Sequence, residues 1–203
     1  MIKTKIKTIY PHYKILNYPK DIYISDYTEQ SKKEVVKRGV EIYEISPVDI
    51  EMFSLYNPHS LQVGTVIFNN QSFIDIYGHS KTQCECVVFP YNANEYSWIL
   101  FIELKYCNDK KKRKRLNEAK KQLFATYEYF KNNNIITEKQ WKYLVVSLPK
   151  LNCVPFESFI TSPGEKLAWR KDKIIFKGIN EAYINRHYKI FCVNGNTGFR
   201  NES

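Results

Sequence analysis

Residues 98–106 read Trp-Ile-Leu-Phe-Ile-Glu-Leu-Lys-Tyr, in which five apolar residues lead into an acid and a base two positions apart. A run this apolar, with aromatic and β-branched side chains, predicts a strand buried on both faces of a sheet. Because strand side chains alternate, Glu103 and Lys105 share one face and Leu104 points to the other. Burying an acid and a base is costly unless they pair or bind a ligand. The end of this strand is therefore a candidate functional site.

A second acid lies in a similar strand upstream. Residues 83–89 read Gln-Cys-Glu-Cys-Val-Val-Phe, with Glu85 as the only charge, and the turn-rich residues 90–97 connect the two runs. This pattern predicts a β-hairpin. If the hairpin folds symmetrically about Asn94, Glu85 lies opposite Glu103, with Cβ atoms about 4.5–5.5 Å apart. Two carboxylates so close repel each other unless a cation lies between them, and an oxygen-lined site with few ligands suits Mg²⁺ or Mn²⁺.

This arrangement resembles the PD-(D/E)xK nuclease superfamily, the restriction-endonuclease-like phosphodiesterases. The resemblance implies that Glu85 supplies the first acid and that Glu103 and Lys105 supply the Glu-x-Lys motif across the hairpin. It implies Mg²⁺ or Mn²⁺ held by the two carboxylates and the main-chain carbonyl of Leu104, and a polar helix residue nearby, here Gln122. The chain departs from the family pattern in having Glu rather than Asp at position 85, preceded by Gln-Cys rather than Pro.

A third acid, from the helix before the sheet, often completes the site in this family. Glu51 is the preferred candidate, with Glu41, Glu44 and Asp49 as alternatives. Each of these residues, taken alone, is more often a solvated surface carboxylate than a metal ligand. The resemblance implies a metal-dependent nuclease that hydrolyses phosphodiester bonds in DNA, leaving a 3′-hydroxyl and a 5′-phosphate.

Two other functions fit the same residues. The first is a catalytically inactive protein of the nuclease fold that serves as a nucleic-acid or protein binding module. The second is a small α/β interaction protein in which Glu103 and Lys105 form a structural ion pair at a strand end. Under the second interpretation Glu103→Gln destabilises the fold, whereas relieving carboxylate repulsion at an empty metal site is neutral or stabilising.

The charge balance favours a polyanionic partner, and we expect DNA. The chain has 31 Lys and Arg against 21 Asp and Glu, a formal net charge of +10, which favours phosphate contacts and counterion release. A solvated basic surface is the alternative. Six consecutive bases follow the candidate site and are candidate phosphate contacts: Lys110, Lys111, Lys112, Arg113, Lys114 and Arg115.

Length and composition bound the remaining expectations. The 203 residues predict a single nuclease-like domain over 1–193, with its core at about 48–148 and a flexible tail over 194–203. Five cysteines without a regular framework indicate reduced thiols and a cytoplasmic protein. The sequence has no signal-peptide pattern and no apolar run long enough for a bilayer. Homodimerisation, common where both DNA strands are cut, is left open.

The predicted fold class is α/β, with a restriction-endonuclease-like core in which a mixed central sheet is flanked by helices in the order α-β-β-β-α-β. Residues 1–30 read as irregular or short β structure, and residues 31–43 and 47–56 as helices. Strand-like pieces cover 65–68 and 72–77 ahead of the hairpin. A helix from Asn108 or Asp109 to Lys131, a strand over 141–148 and two β segments over 173–176 and 188–193 complete the chain.

Overall fold

The computed structural model describes residues 1–69, 72–73, 79, 81–151, 161–185 and 190–192. Over those residues the chain is a mixed α/β protein with two mixed sheets and flanking helices. The helices are α1 (Ile2–Ile9), α2 (Lys112–Asn132) and α3 (Pro163–Lys171). The strands are β1 (Leu16–Tyr18), β2 (Ile22–Asp26), β3 (Val40–Tyr43), β4 (Phe53–Tyr56), β5 (Val63–Ile67), β6 (Cys86–Pro90), β7 (Trp98–Leu104), β8 (Trp141–Ser147), β9 (Ile174–Gly178), β10 (Glu181–Ile184) and β11 (Ile190–Cys192).

The first sheet has the strand order β1-β5-β6-β7-β8-β9. Strands β5, β6 and β7 are antiparallel neighbours, whereas β7, β8 and β9 run parallel to one another. The parallel step from β7 to β8 needs a crossover, and α2 supplies it. Helix α2 covers one face of the sheet because its apolar positions recur at helical spacing; Leu116, Ala119, Leu123, Tyr127 and Phe130 are buried there.

The predicted hairpin and its register are confirmed. Cys86 pairs with Ile102 and Val88 with Leu100, which is the register of a hairpin symmetric about Asn94. The turn is fixed by Asn94, whose side-chain oxygen accepts a hydrogen bond from the backbone N–H of Tyr96 at 2.8 Å. Every residue of β7 is buried. This strand is covered on both faces because helices pack on one side of the sheet and a second sheet packs on the other.

The second sheet has the order β11-β10-β4-β2-β3. Only its contact between β10 and β4 is parallel. Ile24 and Leu55 of this sheet pack against Leu100, Ile102 and their neighbours on the face of the first sheet that is turned away from α2. The described fold is therefore layered as helices, first sheet and second sheet, and the hairpin lies in the middle layer.

The structure corrects the predicted order of elements. Residues 31–43 and 47–56 are not helices; the first segment ends in β3 and the second in β4. Phe53 and Leu55 alternate with a period of two and are fully buried in the second sheet, and so short a window cannot separate that period from a helical one. A helix is found instead at Ile2–Ile9, where irregular or β structure was predicted, because Ile2 and Ile6 are buried on its inner face.

The elements after the hairpin largely agree with the prediction, but its last two β segments lie in different sheets. The helix after the hairpin is confirmed as α2, preceded by a 3₁₀ turn at Asp109–Lys111, and the strand after it is confirmed as β8. The two C-terminal β segments belong to different sheets, because β9 pairs with β8 whereas β11 pairs with β10. The predicted tail over 194–203 and positions 74–77 of a predicted strand lie outside the described residues.

Candidate functional site

Glu103 lies near the carboxyl end of β7 with no exposed surface. It shares the helix-covered face of the sheet with Phe101, two positions before it. Its Oε1 atom accepts a hydrogen bond from Nζ of Lys105, whose side chain is 16% exposed. Its Oε2 atom is buried and, among the described residues, has no hydrogen-bond partner. A buried carboxylate oxygen without a partner is costly, so this atom marks a place for a ligand.

Glu85 lies directly before β6, beside the end of β7. Its backbone N–H donates to the carbonyl of Ile102 at 3.2 Å, and Ile102 is also the register partner of Cys86, so Glu85 stays attached to β7 beyond the last regular pair. Its side-chain Oε2 accepts from the backbone N–H of Leu104 at 3.0 Å. The N–H and C=O of one strand residue point to the same side of the strand, so the carbonyl of Leu104 also points toward the Glu85 side. The three predicted oxygen donors therefore share one strand end.

The charges at this strand end are strongly coupled. The pKa of Glu103 is raised to about 7, because the effect of burial, reinforced by the carboxylate of Asp26, outweighs the lowering by Lys105 and by the backbone N–H of Glu85. Burial, Glu103 and Asp26 raise the pKa of Glu85 well above its usual value. Burial lowers the pKa of Lys105, but Glu103 and Glu85 outweigh it and raise that pKa overall. Negative charge held in so little solvent favours a proton or a cation.

A cleft of about 750 Å³ reaches this site at Lys105, whereas Glu85 and Glu103 lie behind its lining. Its floor is the strand end at 104–106, and one wall comes from segments 26–30 and 47–52 of the second sheet and its loops. Tyr106 connects the strand end to the second sheet. Its hydroxyl donates a hydrogen bond to the carbonyl of Glu51 at 2.6 Å and accepts one from the backbone N–H of Asp26 at 3.3 Å. Arg115 and Lys150 also line the cleft.

Gln122 lies near Glu85 but contacts the backbone of the preceding residues. Its side-chain Nε2 donates to the carbonyl of Gln83 at 3.1 Å. One turn further along α2, Thr126 Oγ1 accepts from the backbone N–H of Cys84 at 2.7 Å. Both contacts fasten α2 to the segment that carries Glu85. Gln122 therefore helps to hold the segment that carries Glu85 against α2.

The six consecutive bases occupy the 3₁₀ turn and the first turn of α2, close after the candidate site. Arg115 lines the cleft, and its charge lowers the pKa of Lys105. Arg115 also pairs with Glu118 at 2.9 Å. Lys112 is half-buried, and the other members of the run are exposed: Lys110, Lys111, Arg113, Lys114 and Arg115. These exposed bases present a basic surface next to the cleft.

The structure separates the candidates for a third acid. Glu51 is exposed and lines the cleft. Asp49 also lines it, but its carboxylate accepts a hydrogen bond from the Tyr27 hydroxyl at 2.8 Å and lies 3.6 Å from Arg38. Glu41 pairs with Arg38 at 2.9 Å. Glu44, the remaining candidate, is exposed on the loop after β3 and does not line the cleft.

Asp26 is the site residue that the sequence analysis missed. It ends β2 and lines the cleft. Its carboxylate raises the pKa values of both Glu85 and Glu103. Its sequence signal is weak, because an acid at the end of an alternating strand is common. Only the packing of the second sheet on the first brings β2 to the end of β7.

The donor set fits a hard divalent cation. Carboxylate and carbonyl oxygens are the ligands that Mg²⁺ and Mn²⁺ prefer, and Glu103 Oε2 is a buried oxygen without a described partner. Within the described ranges, no group of three or more His, Cys, Asp or Glu side chains is arranged to hold a metal ion. A cation here would therefore rely on two carboxylates, a main-chain carbonyl, and water or substrate oxygens.

Neither a protein-family model, nor a curated protein, nor a solved structure matches this chain. Among the described residues, no helix is long and apolar enough to cross a membrane. Cys84 and Cys86 are buried free thiols.

Proposed function

We propose that this chain is a metal-dependent phosphodiesterase that acts on DNA. One observation supports the proposal above all others: a carboxylate with no exposed surface, Glu103, has one oxygen on Lys105 and the other without a described partner, across the hairpin from Glu85. Keeping two acids and a base in so buried a place lowers stability unless a ligand uses them. Perturbed titratable groups beside a cleft are typical of catalytic sites.

The order of the central elements supports a restriction-endonuclease-like core as the finer description of the fold. Strands β5, β6 and β7 are consecutive and antiparallel, α2 crosses over, and β8 returns parallel to β7. This is the β-β-β-α-β part of the order expected for the PD-(D/E)xK superfamily. The helix that would precede it is separated from β5 by four strands.

Glu85, Glu103 and the carbonyl of Leu104 would hold Mg²⁺ or Mn²⁺. Such an ion, when bound, polarises a phosphate oxygen and lowers the pKa of its water. The chain's own residues do the rest. Lys105 Nζ, already at Glu103, orients the attacking water and stabilises the negative charge that develops on the phosphate. Arg115 binds the phosphate backbone at the mouth of the cleft, and Gln122 keeps the Glu85 segment in place.

A catalytically inactive binding module is the second candidate, and two observations favour it. Lys105 is already paired with Glu103, which partly neutralises the site without any ion. No third acid joins Glu85 and Glu103 in a metal-holding group among the described residues. The exposed bases at the start of α2 would serve DNA binding without cleavage.

Cleavage of plasmid and branched DNA with Mg²⁺ or Mn²⁺ tests the proposal. We expect metal-dependent cutting that falls at least about 100-fold in Glu103→Ala and in Lys105→Ala. The matched controls are Glu95→Ala and Lys139→Ala, which break a Glu–Lys pair of 2.8 Å that is exposed at the other end of β7. Cutting should change less than about twofold in these controls, because exposed pairs contribute little.

Calorimetric titration with Mn²⁺ separates the two candidates. The nuclease binds Mn²⁺, and Glu103→Ala abolishes the binding while Glu95→Ala retains it. Failure of the wild type to cut DNA or to bind Mn²⁺ would reject the nuclease. DNA binding that persists in Glu103→Ala and weakens in Lys111→Ala would then support the binding module.

A further inference from the structure

We propose that the site accepts an unpaired DNA strand and excludes intact duplex. The inference rests on the proposed nuclease function and names its substrate class. Three features carry it: the depth at which the reactive groups lie, the size of the cleft, and the opposite charges of its two sides.

The reactive groups lie too deep for a phosphate on the flank of a duplex. Glu103 has no exposed surface and the Lys105 side chain is only 16% exposed. The second sheet forms part of the cleft at Lys105, because Asp26 and Lys105 line the same cleft. Tyr106 ties that part to β7 through the carbonyl of Glu51. A scissile phosphate therefore has to enter the cleft to be reached.

The cleft has the size of a small-ligand site. Its volume of about 750 Å³ falls within the roughly 300–1,000 Å³ of pockets that enclose drug-sized molecules. One or two nucleotides of a splayed strand match that volume, whereas a stacked duplex does not.

The two sides of the cleft have opposite charge. Arg115 and Lys150 lie on one side with Lys105 at the floor, and the exposed bases of α2 continue from Arg115. The side formed by the second sheet and its loops carries four acids, of which only Asp49 lies beside an arginine among the described residues, Arg38: Asp26, Glu29, Asp49 and Glu51. A basic side tracks one phosphate backbone, and an acidic wall opposite it repels the backbone of a second strand. The charge and the size of the cleft therefore both favour a single DNA strand over a duplex.

Oligonucleotides of one sequence test the inference in Mn²⁺: a single strand, a full duplex, and a duplex with one unpaired arm. We expect cutting of the single strand and of the unpaired arm, at least about tenfold faster than cutting of the duplex. Equal or faster cutting of the duplex overturns the inference and leaves the proposed function standing. No cutting of any substrate overturns both.

Glu29→Lys tests the acidic wall. Glu29 is exposed, with 78% of its side chain in solvent, and makes a long 3.7 Å ion pair with Lys32, so its replacement should leave the fold intact. Reversing its charge should narrow the preference for single strands over duplex at low salt, because repulsion of the second backbone is reduced. The matched control is Glu128→Lys, an exposed acid on α2 outside the cleft lining, which should leave the preference unchanged. If Glu29→Lys keeps the same preference for single strands over duplex, the acidic side of the cleft does not exclude duplex, and the proposal that charge helps to exclude it is wrong.

Discussion

The two ends of the β7–β8 pair each bury a charge on the same face of the sheet. Glu103, near the end of β7, pairs with Val146, whereas Lys142, near the start of β8, pairs with Ile99. The two positions are four residues apart along the strands, or about 13 Å. Glu103 is 0% exposed and Lys142 is 3% exposed. The difference between the two ends lies in how each charge is satisfied.

Lys142 is held by main-chain groups. Its Nζ donates to the carbonyls of Glu138 at 3.1 Å and Asp172 at 2.9 Å, and Asp172 is the C-cap of α3. The buried ammonium thereby fastens a helix end to the sheet. Glu103 has one ion-pair partner, Lys105, and one oxygen without a described partner. A buried charge satisfied by backbone is structural, whereas one left partly unsatisfied beside a cleft indicates a ligand site.

The largest expected effect follows from removing the one partner of Glu103. Lys105→Ala leaves a buried carboxylate without a countercharge, so the free energy of unfolding should fall by about 3 kcal/mol at pH 8 without metal. Denaturant unfolding measures the change. Lys139→Ala, at the exposed Glu95 pair, should cost less than about 1 kcal/mol. Equal losses in the two variants would contradict the distinction between the two ends.

A smaller effect follows from the raised pKa of Glu103. The native state holds a proton up to about pH 7, while the unfolded state releases it near pH 4.5. The native state therefore binds more protons between these values, and stability falls as the pH rises from about 5 to 7.5. The loss should be about 2 kcal/mol without metal. Glu103→Gln should lessen this pH dependence and be neutral or stabilising at pH 7.5; a destabilised Glu103→Gln would instead indicate a structural ion pair.

The smallest effect comes from Lys142, whose pKa burial lowers to about 8 from a usual 10.5. Above pH 8 the native state releases a proton that the unfolded state keeps, so stability rises with pH toward 10.5. Lys142→Met cannot show this rise. Between pH 7.5 and 9.5 the unfolding free energy of the wild type should gain about 1.5–2 kcal/mol relative to the variant. A constant difference between the two proteins would mean that Lys142 stays charged throughout.

The sequence was most informative where a pattern was long or local. The run 98–106 and the turn at Asn94 were sufficient for β7, for the hairpin and for its register, because a buried strand and a symmetric turn fix each other. The apolar residues at helical spacing were likewise sufficient to predict α2. The prediction failed for short segments. Phe53–Tyr56 was predicted to be part of a helix, but it is a strand, and its pairing partner, β2, lies far away in the chain.

The sequence by itself determined that Glu85, Glu103 and Lys105 lie at one strand end, because the alternation of side chains and the hairpin register are local properties. Only the tertiary structure determined that Glu103 keeps an oxygen without a described partner and that Asp26 and Tyr106 meet in the lining of the adjacent cleft. Those facts depend on the second sheet packing on the first, through contacts such as Ile24 with its opposite face. Contacts between residues distant in the chain depend on how whole layers fit together, and no local pattern encodes that fit.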